Sequence, residues 1–456
     1  MKRWLSGIFA ILLLTAVAVA QQASPTPPAA PAPSATTSPE FLQAADEVLA
    51  EMSKLLDLPV KEPLKKSLRS REEIRTYLVK EMEEDKRPEK RYADEKALEK
   101  FGLIPKGFPL ESFMLDLLTE QVAGLYDPKA KEFYIADWIP IEEQRVVMAH
   151  ELTHALDDQY FGLDTWEKAA RPNDDAEFAR DAVIEGSALV SMLDYSFSGS
   201  RTSVRQLPDI SALLQNQGLS GMESDPQLKK APPFIRDTLL FPYLNGAIFT
   251  QQFLKANSGW GDFKLVFENP PVSTQQIMHP ALYLAGTKPI PVSLPDFKNL
   301  IPADWKLLDE NTMGEFGLQS VLKQFLGKDR ALGLAPAWIG DRYAIFENSK
   351  TKQTMLVYRL ALDNQDDAAR LFGHYSEALE LKYETRTELY RRPNFFQFQT
   401  PDGGVFWRCE ISQCLAVEGT TRDVFDKINR AIGWPPAPAP SVSAPQRATT
   451  AASVAD

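Results

Sequence analysis

Apolar and polar positions alternate along this chain in two distinct textures. Residues 40–57, EFLQAADEVLAEMSKLLD, repeat at helical spacing, with Phe41, Leu42, Ala45, Val48, Leu49, Met52, Leu55 and Leu56 along one side. A charged segment follows, in which Ser70 or Ser67 is a candidate cap for a helix running through Glu81. The run KEMEEDKRPEKRYADEKALEK reads as a solvated face. Apolar strands Val122 to Tyr126 and Glu132 to Ala136 flank the turn sequence Asp127-Pro128-Lys129-Ala130, which predicts a hairpin. Its outer strand either pairs with an extended peptide or simply covers the next helix. Three long helices are then predicted around residues 145–160, 175–197 and 232–255, and a Pro-bounded loop over 270–283 closes this part.

From residue 300 the texture changes. RYAIFE and TMLVYRLAL read as a hairpin, DDAARLFGHYSEALEL as a helix, FFQFQT, VFWRC and LAVEG as strands, and TRDVFDKINRAI as a capped terminal helix. The expected fold class is therefore α+β: a mainly helical domain with a small hairpin or sheet over 40–298, then a smaller α+β domain over 299–434. No internal repeat is visible.

The ends differ from both. MKRW followed by the apolar stretch Leu5 to Val19 and the small residues Ala18-Val19-Ala20 predicts a cleaved signal peptide over 1–20. The mature protein is then extracytoplasmic, periplasmic or secreted, and not an integral membrane protein. Residues 21–39 and 435–456 are rich in Pro, Ala, Ser and Thr with no periodic apolar face, as expected of disordered tethers. The formal net charge is −12 and no basic stripe interleaves with aromatics, which argues against a nucleic-acid partner. Cys409 and Cys414, the only cysteines, sit in two short strands joined by a turn and can close a hairpin disulfide in an oxidising compartment.

Candidate chemistry concentrates in RVVMAHELTHALDDQY. The chain has four histidines, and two of them, His150 and His154, lie four apart on a helix with Glu151 between them. That spacing puts both imidazoles on one helix face, where they can share a tetrahedral metal while Glu151 flanks an open position. A satisfied core helix is the bland alternative, but two imidazoles and a carboxylate are costly to bury without a ligand. On the next helix Glu185 lies in an apolar stretch beside Gly186, Ser187 and Ala188, small residues that would let this helix approach the first. A buried carboxylate needs a cation, so Glu185 is expected to be the third ligand of one zinc ion per chain. Asp157 or, alternatively, Asp181 is expected to orient a ligating imidazole.

These residues resemble the gluzincin metallopeptidases, whose zinc is held by the two histidines of H-E-x-x-H and a downstream Glu. HELTH at 150–154 is similar to the thermolysin motif, and HELTHALDD resembles H-E-x-x-H-x-x-D-D of neprilysin-type enzymes. IEGSA around Glu185 is similar to N-E-G-x-A, and Pro242-Tyr243-Leu244-Asn245-Gly246 to P-Y-x-x-G, of aminopeptidase-N-like enzymes. The resemblance covers about residues 120–260 and implies a zincin-like metallopeptidase domain, with Glu151 as general base. It also implies Tyr243, at a helix start behind Pro242, as donor to the oxyanion, with His279 as the rival donor by analogy with thermolysin-like enzymes. The chain departs from the pattern as well. Thirty residues separate His154 from Glu185, Leu189 replaces the Asp of E-x-x-x-D, and no G-A-M-E-N strand is present. An endopeptidase acting on peptides or proteins is thus favoured over an aminopeptidase. The alternative is a zinc-containing binding or assembly protein of the cell envelope, which would close its metal with a fourth protein ligand from His279, His374, the cysteines or another carboxylate.

Overall fold

The computed structural model describes residues 39–438 apart from 85–87, 122–123, 201, 213 and 215–225. The expected signal peptide, nearly all of the first tether and the tail past residue 438 lie outside the described residues. The chain is α+β, with helices dominating its first part and an antiparallel sheet of seven strands following. Among the described residues, no helix is long and apolar enough to cross a membrane.

Helix α1, Pro39–Leu55, buries Phe41, Ala44, Ala45, Val48, Leu49 and Met52. Leu42, expected on that side, is exposed because one step along a helix turns it about 100° away from Phe41. An unexpected strand, β1 (Lys65–Arg69), runs parallel to β3 (Glu132–Ala136), while β2 (Gly124–Asp127) pairs antiparallel with β3 on its other side. Ser67 lies in β1 and donates to Glu132 Oε1 (2.8 Å), so Ser70 alone caps α2 (Arg71–Glu84). It does so reciprocally: the Glu73 amide donates to Ser70 Oγ (3.3 Å) and the Ser70 amide to Glu73 Oε2 (2.8 Å).

Of the charged segment expected to be a solvated face, the part from residue 88 onward is half buried. Helix α3, Pro88–Phe101, turns Ala93, Ala97, Leu98 and Phe101 inward, and the Phe101 ring meets Tyr343 and Tyr358 edge-on at 5.5 and 5.4 Å. Its lysines and glutamates disguise a narrow apolar stripe that wedges against the C-terminal sheet. Helix α4 (Leu110–Gln121) then leads into the β2–β3 hairpin.

The large sheet has strand order β4 (Trp305–Asn311), β5 (Trp338–Asn348), β6 (Thr354–Leu362), β10 (Gln413–Thr420), β9 (Gly403–Glu410), β8 (Phe395–Thr400), β7 (Thr387–Arg392). Cys409 and Cys414 are directly opposed in the β9–β10 ladder and joined by a disulfide, with Cα atoms 4.0 Å apart. One apolar core runs without a break from Phe41 in α1 to Ala416 in β10, and a smaller one, around Phe346, Phe406 and Phe425, fills the sheet's other face. Residues 435–438, expected to begin the disordered tail, are held instead: Arg408 Nη1 donates to the Pro435 carbonyl (2.7 Å) and Arg422 Nη2 to those of Ala437 and Pro438 (3.1 Å each).

Candidate metal centre

The site is built where three long helices meet. Helix α5, Ile141–Phe161, carries His150, Glu151 and His154, all buried. Helix α6, Asp174–Phe197, starts at Asn173, whose side chain accepts from the Ala176 amide, and carries Glu185. Helix α7, Pro233–Ala256, carries Tyr243. Helices α5 and α6 are tied by a buried hydroxyl pair, Thr153 Oγ1 and Ser191 Oγ at 2.7 Å.

The approach of α6 to α7 is closer still. A Cβ on Gly186 would stand 2.1 Å from the Gly246 carbonyl carbon, and one on Gly246 would stand 2.0 Å from the Ala182 carbonyl oxygen. Gly186 therefore serves the contact with α7 rather than the expected contact with α5. Only two glycines facing each other allow the backbones this close, and the crossing sets Glu185 and Tyr243 beside the same histidines. Glycine recurs at Gly124 in β2, where a Cβ would meet Val147 at 2.6 Å and the Glu151 Cγ at 3.2 Å, so the hairpin backbone lies directly against the general-base candidate.

His150 Nε2 and His154 Nε2 are 3.0 Å apart, and Glu185 Oε2 lies 3.3 Å from the first and 3.6 Å from the second. Zinc at about 2.0–2.1 Å from tetrahedrally arranged ligands sets neighbouring donors about 3.3 Å apart, so all three separations match the edges of such a site within a few tenths of an ångström. The three residues form a buried group able to hold a metal ion, and no fourth His, Cys, Asp or Glu joins it among the described residues.

Electrostatics follow from this crowding. Burial pushes the His150 imidazole below its usual range. Burial also works against a charged His154, but the adjoining Glu185 carboxylate overrides it and holds the imidazole up at about 9. Burial likewise opposes the charge on Glu185, yet the two imidazoles outweigh it and the carboxyl stays low. For Glu151 burial outweighs both the nearby His154 charge and a hydrogen bond from the Tyr126 backbone, and lifts the carboxyl to about 8.

Tyr243 stacks beside His150, with ring centroids 6.3 Å apart and planes 26° from parallel. It does not sit at a helix start. Pro242 and Tyr243 lie in the middle of a 24-residue helix, where Pro242 forfeits one backbone hydrogen bond while both residues are buried. The loop expected over 270–283 is two short helices, α8 (Thr274–Met278) and α9 (Pro280–Leu284), with His279 at their junction. The His279 ring bonds Glu315 Oε1 at 2.8 Å, on helix α10 (Gly314–Leu326), and does not belong to the three-residue group. His374 lies on α11 (Gln365–Lys382). Asp157 is buried, and its charge acts on His154, but His154 Nδ1 has no hydrogen-bond partner, so neither Asp157 nor Asp181 anchors that nitrogen. Asp181 is also buried, and its charge is felt at the Tyr243 hydroxyl.

Residues 305–429 match a family described as a domain of unknown function, DUF8575, which spans β4 to α12 (Arg422–Ala431) but not the metal group. No curated protein matches the chain. A solved structure described as "a putative hydrolase with a novel fold", from Chloroflexus aurantiacus, is 17% identical over 54% of this chain and 88% of its own, with a TM-score of 0.34. A likeness that slight carries no argument about fold or chemistry.

Proposed function

We propose that this protein is a zinc-dependent metallopeptidase, an endopeptidase acting on peptides or proteins outside the cytoplasm. The observation that carries the reading is the convergence of His150 Nε2, His154 Nε2 and Glu185 Oε2 at separations of 3.0, 3.3 and 3.6 Å, with Glu151 on the same helix. A zinc ion held there supplies Lewis acidity, which makes water a competent nucleophile at neutral pH. Glu151, which burial alone would keep protonated near neutral pH, would be returned to its ionised form by the charge of a cation held beside it, and would then take the proton from the attacking water and deliver it to the leaving amine. Tyr243, kept neutral by burial, donates its hydroxyl to the developing oxyanion. The Tyr243 hydroxyl bonds Glu185 within the three-residue group, whereas His279 bonds Glu315 outside it, and this placement supports Tyr243 over His279 in that role. A binding-only protein would close its metal with a fourth ligand. The cysteines are in a disulfide and His279 is paired with Glu315, which supports the catalytic alternative. The disulfide also favours an oxidising compartment, as expected of an exported chain.

The test is to incubate the mature protein with a peptide library, with and without a chelator, and map the cuts by mass spectrometry. Metal analysis of dialysed wild type should give one zinc per chain, and His154→Ala and Glu185→Ala should lose it. Cleavage should vanish with chelator and in Glu151→Gln. A protein that retains stoichiometric zinc yet cuts nothing would instead favour the binding or assembly role.

A further inference from the structure

Lined by none of the residues of the metal group, a cleft of about 660 Å³ opens between α3 and the C-terminal sheet. Five lysines line it: Lys96, Lys100, Lys106, Lys352 and Lys382. Such a concentration is unexpected in a chain of net charge −12. Three of the five are already neutralised. Lys96 bonds Glu95 (3.1 Å) and Glu99 (2.9 Å), Lys352 bonds Glu347 (2.8 Å), and Lys382 bonds Glu418 (2.5 Å). Lys100 and Lys106 have no acceptor among the described residues.

Lys100 is the unusual one. Its side chain is only 7% exposed, on the last turn of α3. Room for its ammonium is made by Gly419 in β10, where φ is +84° and a Cβ would stand 2.8 Å from Lys100 Nζ. A buried ammonium is costly unless an anion or other acceptor meets it. Two of the acids around it are committed: Glu99 accepts from Lys96 and from the Gly107 amide (2.7 Å), and Glu418 Oε2 accepts from Lys382 and from the Tyr383 hydroxyl (2.7 Å). Asp402 also lines the cleft and acts on Lys100 by its charge, without forming a hydrogen bond to it. Glu418 Oε1 is left without a partner and its charge is felt at Lys100. Burial nevertheless dominates and pushes Lys100 down to about 8.

We propose that this cleft is a binding site for a small oxyanion, a phosphate or carboxylate group, with buried Lys100 as its anchor and exposed Lys106 as the second cation. The competing account is solvent alone, bridging Lys100 to Glu418 Oε1.

Calorimetric titration of the full chain at pH 7.5 separates them, using inorganic phosphate and glutarate as probes, each at matched ionic strength with sodium chloride as blank. Saturable binding of one anion per chain is expected, at least tenfold weaker in Lys100→Met and several-fold weaker in Lys106→Ala, and unchanged in Lys323→Met, whose lysine pairs with Asp237 elsewhere. Binding of phosphate alone assigns the site to phosphate groups, and binding of glutarate alone assigns it to carboxylates. No saturable binding of either probe overturns the proposal, as does wild-type affinity in Lys106→Ala. Should Lys100→Met not fold, the exposed Lys106 variant still decides. Lys100→Met binding as tightly as wild type would equally overturn it.

Discussion

Replacing Gly246 by alanine tests whether the α6–α7 crossing builds the site. The new Cβ would lie 2.0 Å from the Ala182 carbonyl oxygen and 3.0 Å from the Gly186 Cα. Carbon and oxygen do not approach much inside about 3.2 Å without hydrogen bonding, so the helices must part by roughly 1 Å, because the obstruction is backbone and cannot rotate away. Overpacking of this kind costs about 1–3 kcal/mol, against which alanine's better helix propensity returns at most about 1 kcal/mol. The larger effect falls on the site, because a shift of roughly 1 Å moves Glu185 off its present 3.3 and 3.6 Å from the imidazoles. Gly246→Ala should therefore stay folded, melt a few degrees lower, lose zinc on dialysis that wild type retains, and lose about 10²-fold in peptidase activity. Calorimetric melting, metal analysis and peptide cleavage read these three outcomes. Gly333→Ala is the control, since a Cβ there meets nothing within 4 Å and should be neutral or mildly stabilising. The reasoning fails if Gly246→Ala melts with wild type and keeps its zinc.

Three further outcomes are expected. Tyr243→Phe should fold and hold zinc while kcat drops by about 10²-fold at nearly constant KM, whereas His279→Ala should leave kcat unchanged; the opposite pattern would transfer the oxyanion role to His279. Lys100 titrates at about 8 in the fold against its ordinary 10.5, so between those values the unfolded chain binds more protons and stability rises with pH. The penalty of about 3 kcal/mol is complete below pH 8 and gone above 10.5, so the stability advantage of Lys100→Met in denaturant melts should shrink as pH rises through that window. An advantage independent of pH would contradict it. Alkylation of unreduced protein should find no free thiol, and the Cys409→Ala/Cys414→Ala double variant should lose only about 2 kcal/mol or less, because the loop closed is short.

Much of the centre was legible because its logic is local. Four-residue spacing on a helix aligns His150 with His154 whatever the tertiary fold, and a carboxylate inside an apolar helix announces a buried partner. What escaped reading depends on distant pairings. KKSLR has no alternating apolar face, and becomes β1 only because β3 supplies its ladder while Lys66 reaches Asp46. The apolar stripe of α3 is thin and crowded by charge, so its burial became visible only with Tyr343 and Tyr358 against it. Pro242 was misleading for the opposite reason: a local breaker suggested a helix start, but burial of the surrounding α7 residues carries the helix through it. The glycines of E-G and P-Y-x-x-G could have been paired in advance, since two small residues on separate long helices are the usual sign of close backbone crossing.

The parallel pairing of β1 with β3 bears on maturation. If the protein acts as the exported peptidase proposed above, loss of an N-terminal segment during maturation would have a structural cost. Here the segment ahead of the hairpin supplies the sheet's outer strand, from Lys65↔Glu132 to Arg69↔Ala136, and α1 lays Phe41 on Phe133 with ring centroids 6.0 Å apart. Cutting within residues 70–118 and releasing what precedes the cut would strip β3 of one neighbour and uncover Phe133 beside α5. Residues 40–69 thus complete the sheet and the apolar core beside α5, and a cleavage that released them would cost the hairpin both contacts.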